Sequence, residues 1–236
     1  MTAVVAVAVS GCSDDTASPD RRPSASATVS ESTPAPSESG SLVIDGLVTR
    51  EGIKAAWPKA GDLPPGWGSS QETDRLWRDE IDAAKELHAG ACGGKPQDII
   101  YFNDTEYGLY DSAVSPDGSL GATLEIDVVD APKEGPDDGE VSTLARARLA
   151  AENVENTPRN LDCYESSEAA IGDAAVILRS ERFAHVKAHV GPVQIRVTAP
   201  RDKRSPSAED WARMLVDRVR AVAEGTRPTA RVTLPS

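Results

Sequence analysis

Aromatic side chains are scarce in this 236-residue chain, only 4 % of it, with two Phe and two Met. A folded core must therefore be built from Val, Ile, Leu and Ala, with the four Trp as its few large pieces. Histidine occurs three times, which leaves little material for a metal centre or a Ser-His-Asp site. Positive charge is also in deficit. Lys and Arg number 25 against 38 Asp and Glu, a formal net charge of -13. That excludes a nucleic-acid-binding surface and a polybasic membrane patch as the organising features. No apolar run approaches the roughly 20 residues that span a bilayer as a helix. Neither a Gly-x-Ser-x-Gly elbow, nor a Ser-x-x-Lys set, nor a phosphate-cradling glycine loop is present. No catalytic residue, cofactor or metal ligand is assigned from the sequence.

What is present begins at the N-terminus. Ala3-Val4-Val5-Ala6-Val7-Ala8-Val9 is a short apolar run, followed by small Ser10 and Gly11 and then Cys12. The run has the length of a signal h-region and is too short for a membrane span. No Lys or Arg precedes Cys12, and the bland alternative is a frayed apolar terminus with a stray thiol. Residues 12–40 are rich in Ser, Pro, Thr, Ala and Asp without apolar periodicity. Such a segment buries too little surface to offset its ordering entropy and is expected to be a disordered tether. Its root-mean-square reach as a coil is about 30 Å.

Val9-Ser10-Gly11-Cys12 resembles a bacterial lipobox. The resemblance implies cleavage before Cys12, a diacylglyceryl group on its sulfur, and a mature protein lipid-anchored on the extracytoplasmic face of the cell membrane. Further on, Asp62-Leu63-Pro64-Pro65-Gly66-Trp67 resembles a string found near the start of the folded part of actinobacterial lipoproteins. Together with the order of elements, it makes the chain similar to sensor-like extracytoplasmic domains, among them those of some mycobacterial serine/threonine kinases. That resemblance implies a ligand- or partner-binding domain and names no ligand or envelope partner. An extracytoplasmic hydrolase or cell-wall-modifying enzyme is the alternative.

Periodicity places a single α+β domain over residues 41–228, an antiparallel sheet packed against helices, with residues 229–236 as a tail. Helices are expected over residues 48–57, 73–88 and 140–156, and a last one runs from a Ser207 cap to Gly225. Strands are expected over 98–102, 107–114, 122–128, 174–183, 184–190 and 193–199. Ala122, Leu124, Ile126 and Val128 alternate with Thr123, Glu125 and Asp127, the pattern of a half-buried strand.

Three constellations remain. If Cys12 is acylated, Cys92 and Cys163 are the only pair left, and an exported compartment permits their disulfide. Closing that loop of about 72 residues is worth roughly 4 kcal/mol in the chain-entropy model; two buried thiols are the alternative. His185, Lys187 and His189 alternate on one strand, with Arg179 and Arg196 expected to join them. The two histidines lie about 13 Å apart along a strand, too far to share one metal ion. Arg179, Lys187, His189 and Arg196 therefore read as an anion or partner contact, or as a solvated face balanced by Glu125 and Asp127. Finally, Asp137 and Asp138 with Glu134 and Glu140 lack calcium-loop spacing, and His88 reads as a helix C-terminal dipole partner.

Overall fold

A computed structural model describes residues 49–69, 73–75, 105–129, 143–157 and 163–235. All of them belong to one compact unit that begins at Gly40. The fold is α+β: among the described residues, eight strands form an antiparallel sheet with helices against it.

Helix α1 (Arg50–Ala56) starts where Thr49 Oγ1 accepts a hydrogen bond from Gly52 N at 3.0 Å. Two short strands follow, β1 (Gly68–Ser69) and β2 (Thr73–Arg75), both paired to β3 (Thr105–Val114). The expectation of a helix from residue 73 fails here. Its first three residues are drawn into pairing with β3, and tertiary pairing outweighs helical spacing; residues 76–88 lie outside the described residues. β3 turns at Ser115-Pro116-Asp117-Gly118 into β4 (Gly121–Val129). Helix α2 (Thr143–Glu155) leads to the meander β5 (Glu165–Ala169), β6 (Ala174–Arg179), β7 (Phe183–Val190) and β8 (Val193–Pro200). Helix α3 (Ala208–Ala223) ends the regular structure. The strand order is β1-β3-β4-β8-β7-β6-β5, so β8 returns to pair with β4 and joins the two halves.

Strand alternation gives the sheet two faces. Leu124, Ile126, Val186, Ala188, Ile195 and Val197 share the main core with Ile53 of α1 and with Trp211, Leu215 and Val219 of α3. Each fully buried Leu, Ile or Val there contributes about 1.5–3 kcal/mol. Trp67 packs on Trp211 with ring centroids 5.8 Å apart, which fixes the Pro-Pro-Gly-Trp turn onto α3. Ser207 and Asp210 cap α3 reciprocally, Asp210 N donating to Ser207 Oγ at 3.1 Å and Ser207 N to Asp210 Oδ2 at 3.3 Å. The residues after α3 are not a loose tail: Val232 is buried, and Ala230 O accepts from Arg218 Nη1 at 3.1 Å.

The opposite face carries Val176 and Leu178, which pack with Val154 of α2 and with Tyr164. Helix α2 lies across β4, β6, β7 and β8 on this side. The sheet is thus covered on both faces, by an apolar layer under α1 and α3 and, under α2, by this smaller apolar cluster beside a row of buried polar side chains.

Candidate functional site

On the α2 side, residues of β4, β8 and β7 stand in three cross-strand rows. Thr123, Thr198 and His185 form one; Glu125, Arg196 and Lys187 the next; Asp127, Gln194 and His189 the third. Period-2 alternation sends all nine away from the Ile126–Ile195–Val186 face. Strand alternation alone leaves such a face open to water. The structure buries it: Lys187 is 6 % exposed, His189 7 %, Glu125 8 % and Asp127 2 %. The cause is α2, whose Arg146 Nη1 donates to Val129 O at 2.8 Å and whose Ala150 and Val154 are buried against the sheet side. Lys187, His189 and Arg196 are therefore not an exposed anion or partner contact.

Burial makes pairing obligatory. Arg196 Nη2 bonds Glu125 Oε1 and reaches Asp127 Oδ2 at 3.0 Å, so one guanidinium holds two carboxylates of β4. Desolvation raises Glu125 well above the usual carboxylate range; Arg196 opposes that rise and neighbouring Asp127 adds to it. Asp127 is raised for the same first reason, again against Arg196. Lys187, opposite Arg196 in register, is lowered to about 7, by burial first and by the Arg196 charge second, with Glu125 pulling the other way. Next along β7, His185 Nδ1 is 2.8 Å from Thr198 Oγ1 and its Nε2 is 3.3 Å from the Tyr164 hydroxyl. His189 Nδ1 donates to Gly191 O at 3.3 Å.

Arg179 does not join this group. It lies on the α3 side at the end of β6, where it pairs with Glu209 in the first turn of α3 and donates to Ser167 Oγ at 2.7 Å. Parity decides this: Arg179 is two and four residues from Ile177 and Ala175, which face the main core. Cys163 sits half-buried just before β5, beside the cluster of Val176 and Leu178. Cys12, Cys92, His88 and the acidic loop of Asp137 and Asp138 lie outside the described residues.

Two further residues, neither part of a sequence motif, complete the site. Gln194 is fully buried between Asp127 and His189, and Gly108 stands opposite Asp127 on β3. A glycine inside an otherwise regular strand is a recognised sign of close approach, and it was available at Gly108. Nothing in the local pattern separates Gln194 from an exposed glutamine.

Chemically, a lysine brought near neutrality beside a raised carboxyl is the combination that general acid–base sites use. Clefts of about 300 Å³ and 400 Å³ open at the β5–β6 side of the domain, the first beside Glu168 and Asp173, the second beside Tyr164 and Arg201. Neither is lined by Glu125, Asp127, Lys187 or Arg196. Among the described residues no group of three or more His, Cys, Asp or Glu is arranged to hold a metal ion, and no helix is long and apolar enough to cross a membrane. No family model, curated protein or solved structure matches the chain.

Proposed function

We propose that this chain is a membrane-tethered extracytoplasmic lipoprotein whose folded domain binds a ligand or an envelope partner as a sensor-like module. The observation that carries the reading is the order Val9-Ser10-Gly11-Cys12, then a Ser- and Pro-rich linker, then one compact unit from Gly40. A lipid on Cys12 holds the domain at the membrane, and the linker gives it a reach of about 30 Å into the envelope. Two or more acyl chains supply stable anchoring at about 0.8 kcal/mol per buried CH₂. In the same compartment Cys92 and Cys163 are bonded to each other.

The cation of Arg196 is already matched by Glu125 and Asp127, which supports an internal, structural use of that charge. Recognition is therefore assigned to the two clefts that open at the β5–β6 side, away from an exposed basic face. An enzymatic second reading rests on one observation, the lowering of Lys187 to about 7.

Protease added to intact spheroplasts tests the placement. The lipoprotein reading expects the domain to be trimmed from outside while remaining in the membrane fraction before treatment. Full protection together with recovery in the soluble fraction would overturn it. Retained ligand binding in a Lys187→Met variant separates the binding reading from the enzymatic one.

A further inference from the structure

The cleft of about 400 Å³ is lined from three stretches: Tyr164 and Glu165 where β5 starts, Arg179, Ser180 and Glu181 where β6 ends, and Arg201 just after β8. Its volume lies within the range of small-molecule sites. Tyr164 is a rigid member of the lining. Its hydroxyl is 3.3 Å from His185 Nε2, and the two rings meet edge-on with centroids 5.4 Å apart.

Four charged side chains line this cleft, two of each sign, in a chain whose net charge is -13. Arg179 is committed elsewhere, with Nη2 paired to Glu209 and Nη1 donating to Ser167 Oγ at 2.7 Å. Arg201 is exposed, and the turn between β6 and β7 holds it in place. Arg201 N donates to Arg182 O at 2.8 Å, and Arg201 Nη1 donates to Ser180 O at 2.6 Å. Ser180 is buried, and its own N donates to Phe183 O at 2.8 Å. A guanidinium held by Nη1 keeps Nε–H and Nη2–H side by side, the fork that takes a carboxylate through two hydrogen bonds.

The acidic side chains are placed as closely. Glu181 lies between Ser180 and Arg182, the two residues that bond Arg201, and Glu165 is the register partner of Arg179. Both glutamates are exposed, and among the described residues neither pairs with Arg201. Opposite charges that line one cleft without pairing present both signs to whatever enters. A simple anion meets the repulsion of Glu165 and Glu181, and a simple cation meets that of Arg201 and Arg179. A ligand that carries both signs avoids both costs.

We propose that this cleft binds a zwitterionic amino acid or short peptide, its carboxylate on the Nε–Nη2 edge of Arg201 and its ammonium at Glu165 and Glu181. The inference rests on the binding reading above and names the ligand class for one of its two clefts.

Ligand-observed NMR on the full-length protein in detergent tests it with two probe sets, the free protein amino acids and alanyl dipeptides, each at millimolar concentration. The two sets distinguish a free amino acid from a peptide as the source. At least one probe should bind, and its N-acetylated and C-amidated forms, each lacking one charge, should bind about tenfold more weakly or not at all. Arg201→Lys keeps the charge and loses the fork; it should weaken binding about tenfold with the melting temperature unchanged. No binding from either set, equal binding of the blocked forms, or undiminished binding by Arg201→Lys would overturn the proposal. The comparison of parent and blocked probes on the wild-type protein decides the matter even if the variant does not fold. Fractionation of the same cells separates the two readings. A protein that is recovered with membranes and binds neither set overturns the zwitterion site alone, whereas recovery in the soluble fraction overturns the lipoprotein reading.

Discussion

Gly108 stands directly opposite Asp127, and the space a β-carbon would take on Gly108 is filled by Asp127 Oδ1. The same β-carbon would lie 3.0 Å from Ile126 O, so neither side chain nor backbone can yield cheaply. Gly108 thus seats the carboxylate that Arg196 binds from the other side.

Gly108→Ala is expected to destabilise the domain by about 1–3 kcal/mol, as overpacking does in a close-packed interior. Urea unfolding measures it. In the background of Asp127→Ala the same glycine substitution should cost much less, because the carboxylate it displaces is gone. Equal costs in both backgrounds would contradict the seating role.

Much of this architecture is legible in the sequence. Alternation over residues 122–128 and 193–199 separates the apolar face from the polar one, and Ser207 with Asp210 marks the start of α3. Lys187 opposite Arg196 follows from the Gly191-Pro192 turn. The burial of the polar face is not legible, because charges alternating along a strand read alike whether water or a helix covers them. Helix α2 gives little warning: Leu144 is 54 % exposed, and only Arg146, Ala150 and Val154 are buried. β5 escapes for the opposite reason. Glu165-Ser166-Ser167-Glu168-Ala169 has no apolar alternation and becomes a strand only by pairing with β6 at the sheet edge.

Arg196 carries the charge balance of the site. Arg196→Met leaves Glu125 and Asp127 buried without their shared cation, and is expected to cost about 3–5 kcal/mol at neutral pH. Both carboxyls are already raised in the folded state, so the native form binds protons more readily than the unfolded chain over that range. Stability contributed by protonation is present at low pH and lost as pH rises. The penalty of Arg196→Met should therefore be smaller at pH 4 than at pH 8, measured against wild type at each pH.

Lys187 has the converse sign. Its folded value of about 7 lies below its ordinary 10.5. Below pH 7 the side chain is charged in both states, and the folded state bears the full burial penalty. Between pH 7 and 10.5 the unfolded chain holds more protons, so stability rises with pH. Lys187→Met removes this contribution. Wild-type stability should gain about 2 kcal/mol relative to the variant between pH 7 and 9. Parallel pH profiles for the two proteins would contradict it.

Arg218 ties three segments to α3 on the far side of the sheet. It is 2 % exposed and donates to Ala56 O at 2.7 Å, Trp57 O at 3.0 Å and Ala230 O at 3.1 Å, with Asp62 Oδ2 at 3.1 Å. Arg218→Met should lower stability by about 3–5 kcal/mol, the range for breaking a buried charge pair. Asp62→Asn should cost less, since three carbonyls remain. Thermal melts rank the two, and limited proteolysis should release α1 first in the arginine variant.

The most direct measurement of the lipoprotein reading is the intact mass of the protein extracted from membranes. The account predicts a chain beginning at Cys12 and carrying the mass of a diacylglyceryl group, with Cys12→Ser giving unlipidated, uncleaved precursor. A wild-type chain that retains residues 1–11 with an unmodified Cys12 would contradict it.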